Sequence, residues 1–224
     1  MYKIDLLKTA YEAQADSSKS IAMQAYMKNN FAFFGIKAPD RRAIDKAFFK
    51  QYGSPTYAEL PDLVRGLYAE PQRELHYFAM ELVAKHKKNW QPDLLPLLEF
   101  MLVTNSWWDS VDFIAGTLVG DFFKKYPELM LTKTANWNDS TNFWLVRSSI
   151  IFQLKYKKNT DTDLLFTYIL PHCYSKEFFI QKAIGWALRE YSKTDALQIK
   201  GFVEATPELP ALSKREALRL MKNI

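Results

Sequence analysis

A repeat restricts the fold of this chain more than any other feature. Residues 143–161 (FWLVRSSIIFQLKYKKNTD) resemble 178–195 (FFIQKAIGWALREYSKTD) in order and pattern, and Tyr156 matches Tyr191 at a spacing of 35. Two periods earlier, His86-Lys87-Lys88-Asn89 matches Tyr156-Lys157-Lys158-Asn159, and Asp93-Leu94-Leu95 matches Asp163-Leu164-Leu165. A period near 35 built from two helices is the mark of an α-solenoid of the HEAT or armadillo type, in which each pair covers its neighbour's apolar face. The expected architecture is a curved, all-α stack of HEAT-like repeats with a concave face.

Composition agrees with helices. Glycine is scarce, at 7 residues of 224, about 3% against a typical ~7%. Few positions can then take the positive φ that tight β-turns need. Hydrophobic periodicity predicts helices over 2–15, 20–31, 40–52, 57–69, 71–87, 92–103, 106–125, 127–135, 141–158, 161–171, 176–192, 195–204 and 213–222, with most prolines at the joints. No long linker interrupts the chain, so residues 1–224 read as a single domain. No apolar run approaches the ~20 residues of a membrane span, and the N-terminus Met1-Tyr2-Lys3-Ile4-Asp5 lacks a secretory apolar core. A single cysteine, Cys173, excludes an internal disulfide framework and suits a reducing cytoplasm. A net charge of +5, with a pI near 9.1, suits an anionic partner such as nucleic acid.

The stretch Ser106-Trp107-Trp108-Asp109-Ser110-Val111-Asp112 carries the chemistry. On a helical wheel Trp107 lies over Val111, Ile114 and Leu118, an apolar row that reads as core. Trp108 lies over Asp112, Ala115 and Val119. Ser106 is placed to cap the helix, and Asp109 can reach back to the cap and favour the positive end of the dipole. Asp112 has no such local task. In the 35-residue register the second helices begin near Pro71, Ser106, Thr141 and Lys176, so Tyr77, Asp112, Arg147 and Lys182 share one stripe. Trp108 stands one turn before Asp112, and Trp186 one turn after Lys182. Arg147 lies in a nearly all-apolar helix and needs a partner. One reading is a structural salt bridge between Asp112 and Arg147. The other is a ligand-binding stripe of stacking rings, phosphate-seeking cations and one carboxylate that calls for a cation. A basic fringe of Lys28, Arg41, Arg42, Lys155, Lys157, Lys158, Lys182, Arg189, Lys214 and Arg215 could serve the same surface.

Six segments extend these observations along the chain: Ala25 to Asn29, Ser106 to Asp112, Gly120-Asp121-Phe122, Phe152 to Lys157, Ser175 to Tyr191 and Leu212 to Ala217. Through them the sequence resembles the HEAT-like-repeat alkylpurine DNA glycosylases, the AlkD family of bacterial DNA alkylation repair enzymes. The resemblance implies excision of cationic N3- and N7-alkylated purines from double-stranded DNA in base excision repair. It further implies action by a cytoplasmic, nucleoid-associated monomer with no metal or other cofactor and no base flipping. By position it makes Asp112 the catalytic carboxylate, Trp108 and Trp186 the walls beside the lesion deoxyribose, and Arg147 the arginine near the DNA backbone. Tyr26 and Lys28 match residues bordering the DNA, with Lys155, Lys182, Arg189, Lys214 and Arg215 as further DNA contacts. The first ~20 residues and the short C-terminal end depart from the family pattern.

Other chemistries lack their parts. His76, His86 and His172 have no metal-ligand spacing, Cys173 stands alone, and no phosphate-binding glycine loop occurs. Gly116 and Gly120 on one helix face read as close helix packing. The alternative function is a non-catalytic HEAT-type scaffold that binds DNA or protein, which would have no need of Asp112.

Overall fold

The computed structural model describes residues 4–221. Residues 2–3 and 222, at the ends of the first and last helices expected from sequence, lie outside the described residues, as does the start of the N-terminal segment. The regular elements among the described residues are all helical, and the sole strand-like pairing among them is an isolated bridge between Ala32 and Gln72. None of their helices is long and apolar enough to cross a membrane. The chain divides into two compact units, residues 1–97 and 98–224.

The first unit contains α1 (Ile4–Glu12), α2 (Ser17–Tyr26), α3 (Ala38–Tyr52), α4 (Leu60–Ala69) and α5 (Arg73–Lys85). Helix α6 (Leu95–Val103) begins at its end. The second unit continues with α7 (Trp108–Phe113), α8 (Gly120–Lys125), α9 (Met130–Asn138), α10 (Phe143–Ile151), α11 (Thr162–Ile169), α12 (Phe178–Ser192), α13 (Ala196–Ala205) and α14 (Ala211–Ala217). The period is visible in where helices open. Helices α3, α5, α7, α10 and α12 start at residues 38, 73, 108, 143 and 178, each 35 after the last, and α4, α6 and α9 start at 60, 95 and 130.

Side-chain bonds repeat the same interval within each unit. Tyr57 Oη donates to Asp93 Oδ1 at 2.8 Å, and Tyr156 Oη to the Gly120 carbonyl at 2.7 Å, both pairs 36 residues apart. Thr134 and Tyr168 hydroxyls, 34 apart, meet at 2.7 Å. Asn138, buried, donates to Ser149 Oγ and to the Tyr168 carbonyl. The buried bonds of Tyr156, Thr134 and Asn138 satisfy polar groups that the apolar packing would otherwise strand, at a cost of about 1–3 kcal/mol; the Tyr57–Asp93 bond is exposed. The second unit's core is built from Val111, Ile114, Leu118, Phe122, Phe123, Trp137, Ile151 and Phe152, all shut off from solvent.

Several boundaries differ from the periodicity. The second helix runs 17–26 rather than 20–31, because Asp16 accepts from Lys19 N at 3.0 Å and caps it early, while Lys28 and Asn29 leave it in left-handed conformations. The helix expected over 141–158 stops at Ile151; Lys157 takes φ of 54° and opens a short 3₁₀ turn, Lys157–Asn159. That turn has a counterpart 70 residues earlier, Lys87–Asn89, within the sequence match of 86–89 to 156–159. The helix expected over 106–125 begins at Trp108 and is interrupted by a π-helical stretch, Ile114–Val119, between α7 and α8. Such insertions widen a helix and shift the faces on either side.

Ser106 is not the cap of α7. Its hydroxyl donates to the Leu102 carbonyl at 2.6 Å and closes the end of α6, leaving Trp107, extended, at the cap position with no side-chain cap. Trp107 consequently lies outside the helix, and the wheel that sent it to the core does not apply. It is half-buried, edge-on to Trp144 and Phe179 at 6.0 and 5.3 Å between ring centres.

Candidate active site

The register that aligned Asp112 with Arg147 places them in direct contact. Arg147 Nε donates to Asp112 Oδ1 at 2.7 Å and Nη2 to Oδ2 at 2.9 Å, a bidentate pair bridging α7 and α10. The third guanidinium nitrogen, Nη1, donates to the Phe179 carbonyl at 2.5 Å in the first turn of α12. One side chain therefore ties three successive second helices together. Arg147 is sealed, with 5% of its side chain exposed, whereas Asp112 keeps 19%. Burial pushes the Asp112 carboxyl up from the usual carboxylate range, and the hydrogen bonds and charge of Arg147 pull it back. The carboxylate is thus oriented from behind and open in front.

Local sequence explains the placement. Trp108 and Asp112 share a face of α7 one turn apart, both half-buried. Farther along, Ala115 and Val119, within the π stretch, are fully buried. Gly116 lies within that stretch and Gly120 directly follows it. A Cβ on Gly116 would rest against Leu154, while one on Gly120 would lie 2.6 Å from the Phe152 carbonyl, so the close packing read from the sequence is strict at Gly120. Lys155, exposed, donates to Thr117 within the π stretch at 2.6 Å.

On α12, Trp186 lies one turn from Lys182 and one turn from Arg189, half-buried. Both cations reach Glu216 of α14. Lys182 Nζ is 2.9 Å from Oε1, and Arg189 Nη1 bonds Oε2. The helices cross closely at Gly185, where a Cβ would lie 2.6 Å from Glu216 Cβ. The hydrogen bond from Lys182 holds the Glu216 carboxyl below the usual range. Lys214 is committed to the Pro207 carbonyl at 2.8 Å, and Arg215 is exposed. Tyr26 and Lys28 belong to the first unit. Tyr26 is 67% exposed at the end of α2, and Lys28 is exposed just beyond it.

Arg41 and Arg42, members of the expected basic fringe, are held by carboxylates in the first unit. Arg41 bonds Asp45 at 2.9 Å and Glu81 at 2.6 Å, and Arg42 bonds Glu81 at 3.3 Å. Sequence reasoning did not single out Phe179, Trp144 or Glu216. For Glu216 the signal was present, since it stands 34 residues after Lys182. The contribution of Phe179 is a backbone carbonyl, which no residue type announces. Among the described residues no group of three or more His, Cys, Asp or Glu side chains is placed to hold a metal ion.

A repeated all-α stack, with a carboxylate fixed by a buried guanidinium beside half-buried indoles, defines a helical-repeat protein with an enzyme-like site. The chain belongs to the DNA alkylation repair enzyme family, whose model matches residues 7–221. It is similar to a solved structure described as a predicted DNA alkylation repair enzyme from Enterococcus faecalis. The match has a TM-score of 0.85 and 30% sequence identity, covering 94% of this chain and 98% of that one. Comparison with curated proteins gave no match. Membership makes this an enzyme of DNA alkylation repair, with DNA as its substrate.

Proposed function

We propose that the protein is a monofunctional DNA glycosylase that hydrolyses the N-glycosidic bond of N3- and N7-alkylated purines in double-stranded DNA. It acts as a cytoplasmic monomer and a single HEAT-like-repeat domain, without a metal and without flipping the base into a pocket. The observation that carries this reading is the Asp112 carboxylate, held at both oxygens by Arg147 yet open on its other side, one helical turn from Trp108.

The chemistry asks little of the protein. An alkylated purine of this kind carries a positive charge, so the glycosidic electron pair departs with the base, which leaves neutral without a general acid. Oxocarbenium character develops on the deoxyribose, and water adds at its C1′ carbon while its surplus proton passes to Asp112 or to solvent. A bare carboxylate about 4 Å from the cation contributes roughly 4 kcal/mol at an effective dielectric near 20, or about 10³ in rate. Arg147 offsets part of that charge, which lowers the expected contribution to about 10². In exchange it prevents the carboxylate from turning away. Trp108 and Trp186 offer flat faces to the sugar, and Tyr26, Lys28, Lys155, Lys182, Arg189, Lys214 and Arg215 supply contacts to DNA.

The same ion pair also supports a second reading, a scaffold in which Asp112 and Arg147 only fasten neighbouring repeats. Release of 7-methylguanine or 3-methyladenine from methylated DNA in the presence of a chelator decides between them. Release is expected from the native protein; DNA binding without release would establish the scaffold.

A further inference from the structure

Two of the cations assigned to DNA are already occupied. Lys182 and Arg189 flank Trp186 on one face of α12, and each bonds one oxygen of a single carboxylate, Glu216, whose side chain is 13% exposed. The arrangement is fixed by backbone packing. Gly185 lets α14 approach until only a hydrogen fits beneath Glu216 Cβ, and Ser213 Oγ, one turn earlier on α14, donates to the Gln181 carbonyl at 2.8 Å. This packing seats Glu216 against α12, where its carboxylate meets both cations. Lys182 retains 37% exposure and Arg189 22%, so a phosphate can reach either, in competition with Glu216.

We infer that Glu216 is a specificity-determining residue, an internal counter-ion that withholds Lys182 and Arg189 from the phosphates of undamaged DNA. The inference rests on the proposed reading in one respect, that this face of α12 meets DNA. Non-specific binding comes almost entirely from phosphate neutralisation, each engaged cation adding about 0.9 to the slope of log K against log salt. A built-in carboxylate removes that sequence-independent attraction. It leaves the interactions with the lesion's own charge, through Asp112 and the indoles, untouched. The ratio of damaged to undamaged binding rises accordingly.

The test is a salt titration of binding to an undamaged short duplex, beside an excision assay on methylated DNA. Glu216→Gln is expected to bind undamaged duplex more tightly at low salt, with a slope steeper by roughly 0.9 to 1.8. That amounts to an additional loss of about threefold per freed cation for a fourfold rise in salt. Lys182→Gln added to Glu216→Gln should take back about one cation's worth. An unchanged slope in Glu216→Gln overturns the inference. Should Glu216→Gln fold poorly, Lys182→Gln/Arg189→Gln with Glu216 intact gives an independent reading. Its slope should fall by less than about 0.9, and a fall of about 1.8 would show both cations already engaged and overturn the inference. Slope changes as expected without excision by the native protein sink the glycosylase reading alone. Excision with an unaltered slope sinks the inference alone, and absence of DNA binding sinks both.

Discussion

Each unit of this protein buries an arginine against carboxylates, and the two arrangements serve different ends. In the first, Arg41 bonds Asp45 one turn along its own helix and Glu81 on α5, while Tyr11 of α1 donates to Asp45. Arg41 is 3% exposed and Asp45 is buried, so the Tyr11–Asp45–Arg41 network is closed, and Glu81 at its rim, 35% exposed, is shared with the exposed Arg42. In the second, Arg147 reaches across a repeat to Asp112 and donates through its third nitrogen to a backbone carbonyl, leaving the carboxylate partly open beside Trp108. A charged pair becomes a candidate for chemistry when one partner is satisfied from behind and the other keeps a free side. Sealing both partners yields cohesion alone.

Breaking the closed network should have the largest effect, and on stability only. Arg41→Met strands the buried Asp45 carboxylate and is expected to cost about 3–5 kcal/mol in denaturant unfolding. Excision per folded molecule should not change; a selective loss of rate would erase the distinction between the two pairs. Asp112→Asn comes next, with an expected fall of about 10² in the single-turnover rate while duplex affinity holds. Full activity in this variant would remove the proposed mechanism. Arg147→Lys is milder. It keeps the charge but loses the fork that fixes both Asp112 oxygens and the Phe179 carbonyl, so a rate about tenfold lower with an unaltered salt slope is expected. A reduced salt slope instead would mean that Arg147 contacts phosphate directly.

The second of these arrangements is legible in the sequence, and the reason is the period. A constant spacing of 35 residues aligns Asp112 with Arg147 and makes their contact a matter of register. The same register explains Gly120 under Tyr156 and Lys182 beside Glu216. The wheel failed where the backbone leaves α-helical geometry. Trp107 sits extended before its helix, and the π stretch after Phe113 alters the rotation per residue, so faces extrapolated through either point drift. The closed network in the first unit was illegible for another reason. Arg41 and Arg42 look alike in sequence, and only packing decides that Arg41 is buried while Arg42 is exposed.

Acidity gives the smallest effect and the most direct discrimination, because the two carboxylates should respond in different observables with opposite signs. Burial lifts Asp45 to about 6, against the pull of the Tyr11 hydroxyl and Arg41 and with Glu81 adding to the rise. Its unfolded value is near 3.9. Between these the native state holds a proton that the unfolded state has released, so stability falls as pH rises from about 4 to about 6. The contribution is fully present below the unfolded value and gone above the folded one. The gap between native protein and Asp45→Asn in melting temperature should therefore move by a few degrees across that window, in the sense that lower pH favours the native protein. A flat difference would show that Asp45 stays ionised in its cluster. Asp112 is also raised by burial, but its readout is rate. Excision needs the anion, so kcat should decline as pH is lowered, with an inflection above the ordinary carboxylate value, and Asp112→Asn should lack that limb. Stability and rate moving together in both variants would mean that the two pairs belong to one cooperative structure rather than to a brace and a site.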